Sequence, residues 1–340
     1  MEISYEQLKN ITRGAAYIEE TKDGYVFHRF TKEQEKVYKE YKGDNANARV
    51  EYCSGVRIAF KTNSQKLFIK GTVNIRLNKR KFYSFDLVID GKLTDTVNNI
   101  PEDLNENEPL VDLPFGEFQK EFSLGGGEKN VELYLPWSAK VMLKKITIDD
   151  NATITPIKYD KLLICYGDSI TQGYDALNSS TTYASILSQR LGAEIFNKAI
   201  GGEVFFPELV EPKEDLNPDY ITVAYGTNDF SKKDPADFKT RCRKFYKNLS
   251  VNYPRAKIFA ISPIYRGKYL THPTTQFKSF FDVENEIKDI AESLPNVTFI
   301  SGFDLVPHDI GLYTTGIVHP TNKGFEYYGK NIADKIISLI

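Results

Sequence analysis

Residues 161–173 read Lys161-Leu162-Leu163-Ile164-Cys165-Tyr166-Gly167-Asp168-Ser169-Ile170-Thr171-Gln172-Gly173. The apolar run Leu162–Tyr166 is short and uninterrupted, which predicts a strand covered on both faces, as in a parallel sheet. It ends in a tight turn that places a serine at the start of a helix. Such a turn exposes the hydroxyl and leaves neighbouring backbone N–H groups unpaired, ready to stabilise an oxyanion.

The chain beyond this stretch keeps the alternation. A helical segment Thr182–Leu191, closed by Gly192, leads to a strand candidate Glu194–Ile200. Tyr220–Tyr225, Lys257–Ile261 and Val297–Ile300 follow as further strands. Between and after them, Phe238, Cys242, Phe245, Tyr246 and Leu249 form one helical stripe, and Phe325, Tyr328, Ile332, Ile336 and Leu339 form another. Five strands alternating with helices predict an α/β fold with a parallel five-stranded sheet covered on both faces. In such sheets the ligand crevice lies beyond the carboxyl ends of the strands, so chemistry belongs in the loops that follow them.

Upstream the rhythm is different. Val56–Phe60, Lys66–Thr72, Phe82–Ile89, Val131–Leu135 and Val141–Ile148 are short and rich in β-branched and aromatic residues, with turn signals such as Asp90-Gly91 and Gly125-Gly126-Gly127 between them. This pattern predicts an all-β, antiparallel sandwich. The charged run Thr31–Tyr41 reads equally as a short helix or an extended strap. Asn151–Asp160, carrying Pro156, reads as a linker. The chain therefore divides into a β-sandwich domain over 1–152 and an α/β domain over 160–340. Its 340 residues agree, since a domain takes about 100–200.

Composition narrows the function classes. Forty-four Lys and Arg against 46 Asp and Glu leave a net charge of −2, so no global field attracts nucleic acid or an anionic membrane. Cys53, Cys165 and Cys242 are far apart and never in a C-x-x-C pair, which suggests neither a disulfide framework nor a zinc site. The first residues lack a basic start and an apolar stretch, and no run approaches a membrane span. As written the chain reads as cytoplasmic; one whose leader had been removed would read the same and be secreted. Its oligomeric state is not legible.

Four strand-end loops carry the candidate chemistry. Gly167-Asp168-Ser169 offers a nucleophile. Asn197-Lys198-Ala199-Ile200-Gly201-Gly202 offers glycines that let backbone approach a substrate closely. Gly226-Thr227-Asn228-Asp229 offers a side-chain amide for developing negative charge, and His319-Pro320-Thr321-Asn322 offers an imidazole as general base.

In this order the motifs resemble the SGNH hydrolases, or GDSL esterase/lipase family, over about residues 160–340. The resemblance implies a flavodoxin-like three-layer α/β/α fold, Ser169 as nucleophile and His319 as base. It also implies an oxyanion hole from the Ser169 and Gly202 N–H groups and the Asn228 amide, with Gly201 as the alternative to Gly202. No cofactor is implied. An all-β, jelly-roll-like domain ahead of such a hydrolase resembles carbohydrate esterases that remove acetyl groups. Ser84-Phe85-Asp86-Leu87-Val88 shares Asp and Leu with the Gly-x-Asp-Leu-Tyr motif of their β-domains. The expected substrate is then a small-molecule or carbohydrate ester, cleaved to a short acyl group, acetyl first. An acyltransferase and a catalytically decayed glycan-binding protein are the alternatives.

One family position departs from the pattern. Where Asp-x-x-His is usual, Gly316 stands three residues before His319 and Thr315 four before. An aspartate fixes the imidazole tautomer, and its loss costs about 10⁴ in rate where nothing substitutes. The first expectation is a Ser–His dyad oriented by a backbone carbonyl, with Asp309 and Asp304 as substitute acids. Other polar residues read as structural. Asp168 and Asp229 suit turn capping. His28, His272 and His308 have no ligand spacing. Trp137 suits packing better than sugar stacking. Arg266 reads either as a substrate contact or as an exposed surface arginine.

Overall fold

The structure, a computed structural model, describes residues 1–76, 80–107, 112–232, 234–266, 275–314 and 318–340, without the side chains of 44–47. His272, Thr315 and Gly316 lie outside the described residues.

The predicted parallel sheet runs Ala193–Asn197, Lys161–Gly167, Tyr220–Ala224, Lys257–Ile261, Val297–Ile300 in spatial order. This is the flavodoxin-like order 2-1-3-4-5, with its switch point between the first and third strands of the chain. Period-two alternation explains why Leu162–Tyr166 is apolar throughout. Leu163 and Cys165 enter the core on one face, with Tyr183, Leu187, Phe325 and Ile332. Ile164 and Tyr166 enter the core on the other, with Phe205, Phe238, Phe245 and Ile287. Helices Tyr183–Leu191 and Asn322–Ile337 cover the first face, and Pro235–Asn252 and Phe280–Glu292 cover the second. The C-terminal stripe stops short of Leu339, which lies past the helix end and is exposed.

Upstream, two antiparallel sheets enclose one buried cluster that includes Ile58, Phe60, Leu67, Ile69, Phe85, Leu133, Val141 and Leu143. The first sheet orders Thr12–Arg13, Arg57–Thr62, Lys129–Tyr134, Ser84–Ile89 and Lys92–Asn98. The second orders Tyr17–Thr21, Gly24–His28, Lys140–Ile148, Lys66–Asn74 and Glu117–Ser123. The expected linker is stitched to this part, for Thr155–Pro156 pairs with Arg57–Thr62.

The charged run resolves as helix. Lys32–Val50 opens on a capping box between Thr31 and Gln34, and breaks at Gly43, where φ is 70°. Phe30, Tyr38 and Val50 bury in the core of the parallel sheet rather than in that of the sandwich. Phe82 and Trp137 do the same on the opposite face. Among the described residues no helix is long and apolar enough to cross a membrane, and no group of three or more His, Cys, Asp or Glu could hold a metal ion.

Candidate active site

Ser169 begins a four-residue helix, Ser169–Gln172, at the end of the strand Lys161–Gly167. Asp168 caps it by accepting from the Ile170 N–H at 3.0 Å. Gly173 closes it at φ 104°, a conformation that suits glycine, and a Cβ there would stand 2.5 Å from Thr182 Cγ2. The turn is thus fixed at both ends, and the Ser169 Oγ lies 2.8 Å from His319 Nε2.

The partner of the other imidazole nitrogen differs from expectation. His319 Nδ1 lies 3.2 Å from Asp175 Oδ2, six residues after the serine. Neither a carbonyl nor the proposed substitute acids occupy this position. Asp309 caps a short helical turn by accepting from the Gly311 N–H, and Asp304 pairs with His308 at 3.1 Å. Both are committed to their own loop, which corrects the expectation for Asp309 and Asp304. Asp175 has no side-chain exposure. Burial pushes its carboxyl up, but the His319 contact, the Arg80 guanidinium and the Thr314 hydroxyl outweigh burial and hold it below the usual carboxylate range. Arg80 grips it with two bonds, Nε to Oδ1 at 2.6 Å and Nη2 to Oδ2 at 3.0 Å, and Thr314 Oγ1 donates to Oδ2 at 2.6 Å. Tyr174 packs against the imidazole with ring centroids 4.7 Å apart, and Arg80 lies 4.8 Å over the Tyr174 ring.

Sequence reasoning missed Asp175 and Arg80. Asp175 is a non-glycine residue at φ 75°, immediately past the helix stop, and the signal in the sequence was only an acid close behind the nucleophile. Arg80 comes from the sandwich part, 95 residues away, and carries no local signal.

The other loops converge on the same end of the sheet. The Gly201 N–H donates to Gln172 Oε1 at 2.7 Å, whereas among the described residues no hydrogen bond uses the Gly202 N–H. Gly202 has φ 83° and is exposed. The Asn228 Nδ2 donates to the Glu203 carbonyl at 3.0 Å and, more weakly, to Asp168 Oδ2 at 3.3 Å. Burial pushes Asp168 up to about 6, against the pull of the Ile170 N–H. Burial pushes Asp229 up to about 7, and that carboxylate accepts from the Phe205 and Gly226 N–H groups, each at 3.1 Å. Both acids therefore brace turns. Arg266 is neither an exposed arginine nor free in the crevice: it is 6% exposed, with its guanidinium 5.2 Å from the Phe230 ring centroid and 5.4 Å from that of Phe280. Trp137 is buried, and its Nε1 donates to the Ala176 carbonyl at 2.7 Å beside Tyr174. His28, at the end of the strand Gly24–His28, contacts Glu35 at 2.8 Å.

A buried serine, a half-buried imidazole and a buried carboxylate in series can move a proton from the hydroxyl while it attacks a carbonyl. Similarity to known proteins agrees with that chemistry. Residues 165–327 match the model of the GDSL-like Lipase/Acylhydrolase family. Among curated proteins no match is found. Among solved structures, the salicylyl-acyltransferase SsfX3 from a tetracycline biosynthetic pathway is similar at a TM-score of 0.78 and 21% identity, covering 96% of this chain and 94% of that one. A protein from Bacteroides ovatus described as a GDSL-like lipase is similar at 0.76 and 19%, covering 100% and 97%. A family two carbohydrate esterase from Cellvibrio japonicus is similar at 0.65 and 16%, covering 100% and 97%. At these identities the likeness is one of fold, and it extends over sandwich and α/β parts together. The chain carries a GDSL-like lipase/acylhydrolase domain over residues 165–327.

Proposed function

We propose that the protein is a serine esterase that removes short acyl groups, acetyl first, from a carbohydrate or glycoside. The coarser statement, a hydrolase of carboxylic esters, follows from the family match. The observation that carries the serine-nucleophile part of the reading is the series Ser169 Oγ, His319 Nε2, His319 Nδ1 and Asp175 Oδ2, with gaps of 2.8 and 3.2 Å. In this mechanism Ser169 attacks the ester carbonyl while His319 takes its proton and Asp175 stabilises the imidazolium. The Ser169 and Gly202 N–H groups hold the oxyanion together with Asn228, whose weaker bond, the 3.3 Å contact with Asp168, is the one exchanged for it. His319 then protonates the leaving alcohol, and water repeats the cycle on the acyl-enzyme.

The carbohydrate part of the proposal is supported by the similarity to a family two carbohydrate esterase along the whole chain. A second reading has its own support: a structure with a higher TM-score is named as an acyltransferase, and the same acyl-enzyme can be resolved by an alcohol other than water. The third reading, a silent glycan-binding protein, depended on a missing acid, and Asp175 removes that ground. The test compares p-nitrophenyl acetate turnover and fluorophosphonate labelling of the wild type with Ser169→Ala. Both should vanish in the variant; turnover that survives would overturn the assignment. Product analysis with and without added sugar alcohols separates hydrolysis from transfer.

A further inference from the structure

Three cations stand around the nucleophile without an ion pair among the described residues. Arg49 donates from Nη1 to the Gly201 carbonyl at 2.6 Å, and Lys232 donates from Nζ to the Gly202 carbonyl at 2.7 Å. Neither makes an ion pair among the described residues. Arg266, buried, has no hydrogen-bond partner for Nε and Nη2 among the described residues, and Asp168 lies near enough to act on its charge. The nearby acids are otherwise occupied. Glu203 pairs with Lys42 at 2.7 Å, and Asp168 and Asp229 accept from backbone N–H groups and are pushed toward their neutral forms by burial.

The geometry at Gly202 is specific. The point where a Cβ would stand lies 3.6 Å from Lys232 Nζ and 3.7 Å from Arg49 Nη1, and, among the described residues, within 4 Å of no other apart from its chain neighbours. Among the described residues, the point next to Gly202 is therefore flanked by two cations. Two like charges brought together in this way repel each other; burial lowers the Lys232 ammonium most and Arg49 lowers it further, against the pull of Asp168, Glu203 and Asp229. The arrangement gains once an anion sits between them, since charge-assisted bonds to one oxyanion replace the repulsion. The same lip is close to the chemistry. A Cβ on Gly201 would stand 3.6 Å from Ser169 Cβ and 3.9 Å from Arg49 Cδ, so an anion held here is a few bonds from the reacting carbonyl.

We propose that Arg49 and Lys232 form an oxyanion-recognition site at the lip of the crevice, and that the ester substrate carries a carboxylate, phosphate or sulfate a few bonds from its scissile carbonyl. The inference rests on the esterase reading above and adds the charge of the substrate. A neutral acetylated sugar would leave the two cations unmatched; an acylated uronic acid, sugar phosphate or sugar sulfate would fill the space between them.

The test uses the full chain and matched aryl acetates: para-acetoxybenzoate and para-acetoxyphenyl sulfate against the neutral methyl ester of para-acetoxybenzoate, each rate divided by that of the ester in buffer. In the wild type kcat/KM should favour one or both anions by about tenfold or more. The preference should shrink between about 20 mM and about 0.5 M salt. It should collapse toward unity in Arg49→Gln and in Lys232→Gln, whatever happens to the neutral ester. The better anion identifies the class. A wild-type ratio near or below one, or a ratio kept in both variants, overturns the proposal. Calorimetry of para-hydroxybenzoate and para-hydroxyphenyl sulfate on Ser169→Ala needs no turnover and separates the two readings. Anion binding that depends on Arg49 and Lys232, without hydrolysis of any ester by the wild type, would sink the esterase reading alone. Hydrolysis of the neutral ester without anion preference or binding would sink this one alone.

Discussion

An imidazole acts as a base toward Ser169 only if its other nitrogen keeps the proton, and Asp175 is the group placed to hold it there. Replacement of Asp175 by Asn keeps the shape but offers the wrong partner to Nδ1, so kcat should fall by about 10³–10⁴-fold. Asp309→Asn and Asp304→Asn, which touch neither Ser169 nor His319, should change it by about twofold at most. Steady-state kinetics on the three variants decides, and equal losses in all would refute the placement. Arg80 acts one step further out. Its two bonds fix the Asp175 carboxylate, so Arg80→Met should cost about 10–100-fold in kcat, with KM for a small neutral ester much less affected. A loss confined to KM would argue for substrate contact instead. The candidate site was legible where it is local. Ser169, Gly202, Asn228 and His319 each follow a strand or precede a helix, and backbone geometry marks such places in sequence. Asp175 and Arg80 were not legible for the converse reason: one takes a left-handed conformation that its residue type does not announce, and the other arrives through tertiary packing alone.

The segment from Gln172 to Ser180 carries Asp175, and the sandwich part supplies much of what holds it. Ser54 Oγ donates to the Gln172 carbonyl at 2.6 Å, Trp137 Nε1 bonds Ala176, and Arg80 grips Asp175. Asp86, the residue of the partial Asp-Leu motif, accepts from Asn178 Nδ2 at 3.0 Å and from the Ser180 N–H at 2.7 Å. It is fully buried, so Asp86→Ala would strand the Ser180 N–H and should cost about 2–4 kcal/mol in urea unfolding, with faster amide exchange over 174–180. Unchanged exchange there would mean that the bridge is not structural. The turn acids respond to pH in a definite direction. Asp229 binds its proton more tightly when folded, at about 7 against 3.8, so the native state holds more protons and this group's contribution to stability declines as pH rises through about 4 to 7. In Asp229→Asn that decline is absent, so the Tm of the wild type should fall relative to the variant across this range; parallel Tm profiles would refute the assignment. At this scale the strands of the parallel sheet were legible, whereas in the sandwich part Gly24–His28, inside a sheet, and strands at the sheet margins were not. Lys92–Asn98 and Glu117–Ser123 expose much of their length, and polar residues at a sheet margin read as loop.

Composition divides the chain near residues 152–160, but packing does not respect that line. Phe30, Tyr38 and Val50 fill one face of the parallel sheet, and Phe82 and Trp137 fill part of the other. Arg29, fully buried, donates to the carbonyls of Tyr52 at 2.7 Å and Asn197 at 2.7 Å, joining both parts through one side chain. Lys198, also fully buried, pairs with Glu214 at 2.7 Å and donates to Gln34 of the helix Lys32–Val50 at 3.0 Å. Removing residues 1–159 would expose the apolar surface beneath those aromatic residues, at about 25 cal/mol per Å², and would leave Lys198 without Gln34 and Asp175 without Arg80. A hydrolase with an appended binding module would tolerate that truncation. This protein should not: residues 160–340 expressed alone should be insoluble or lack native near-UV signal, and should not turn over p-nitrophenyl acetate. The intact chain should unfold in one thermal transition, with calorimetric and van't Hoff enthalpies in agreement, because the α/β part has no complete core without residues of the sandwich part. Two separated transitions, or a folded and active 160–340 fragment, would show that the shared core is incidental. Recovery of turnover on mixing separately produced 1–159 and 160–340 would point the other way, since Arg49 and Arg80 reach the crevice only when both parts are present.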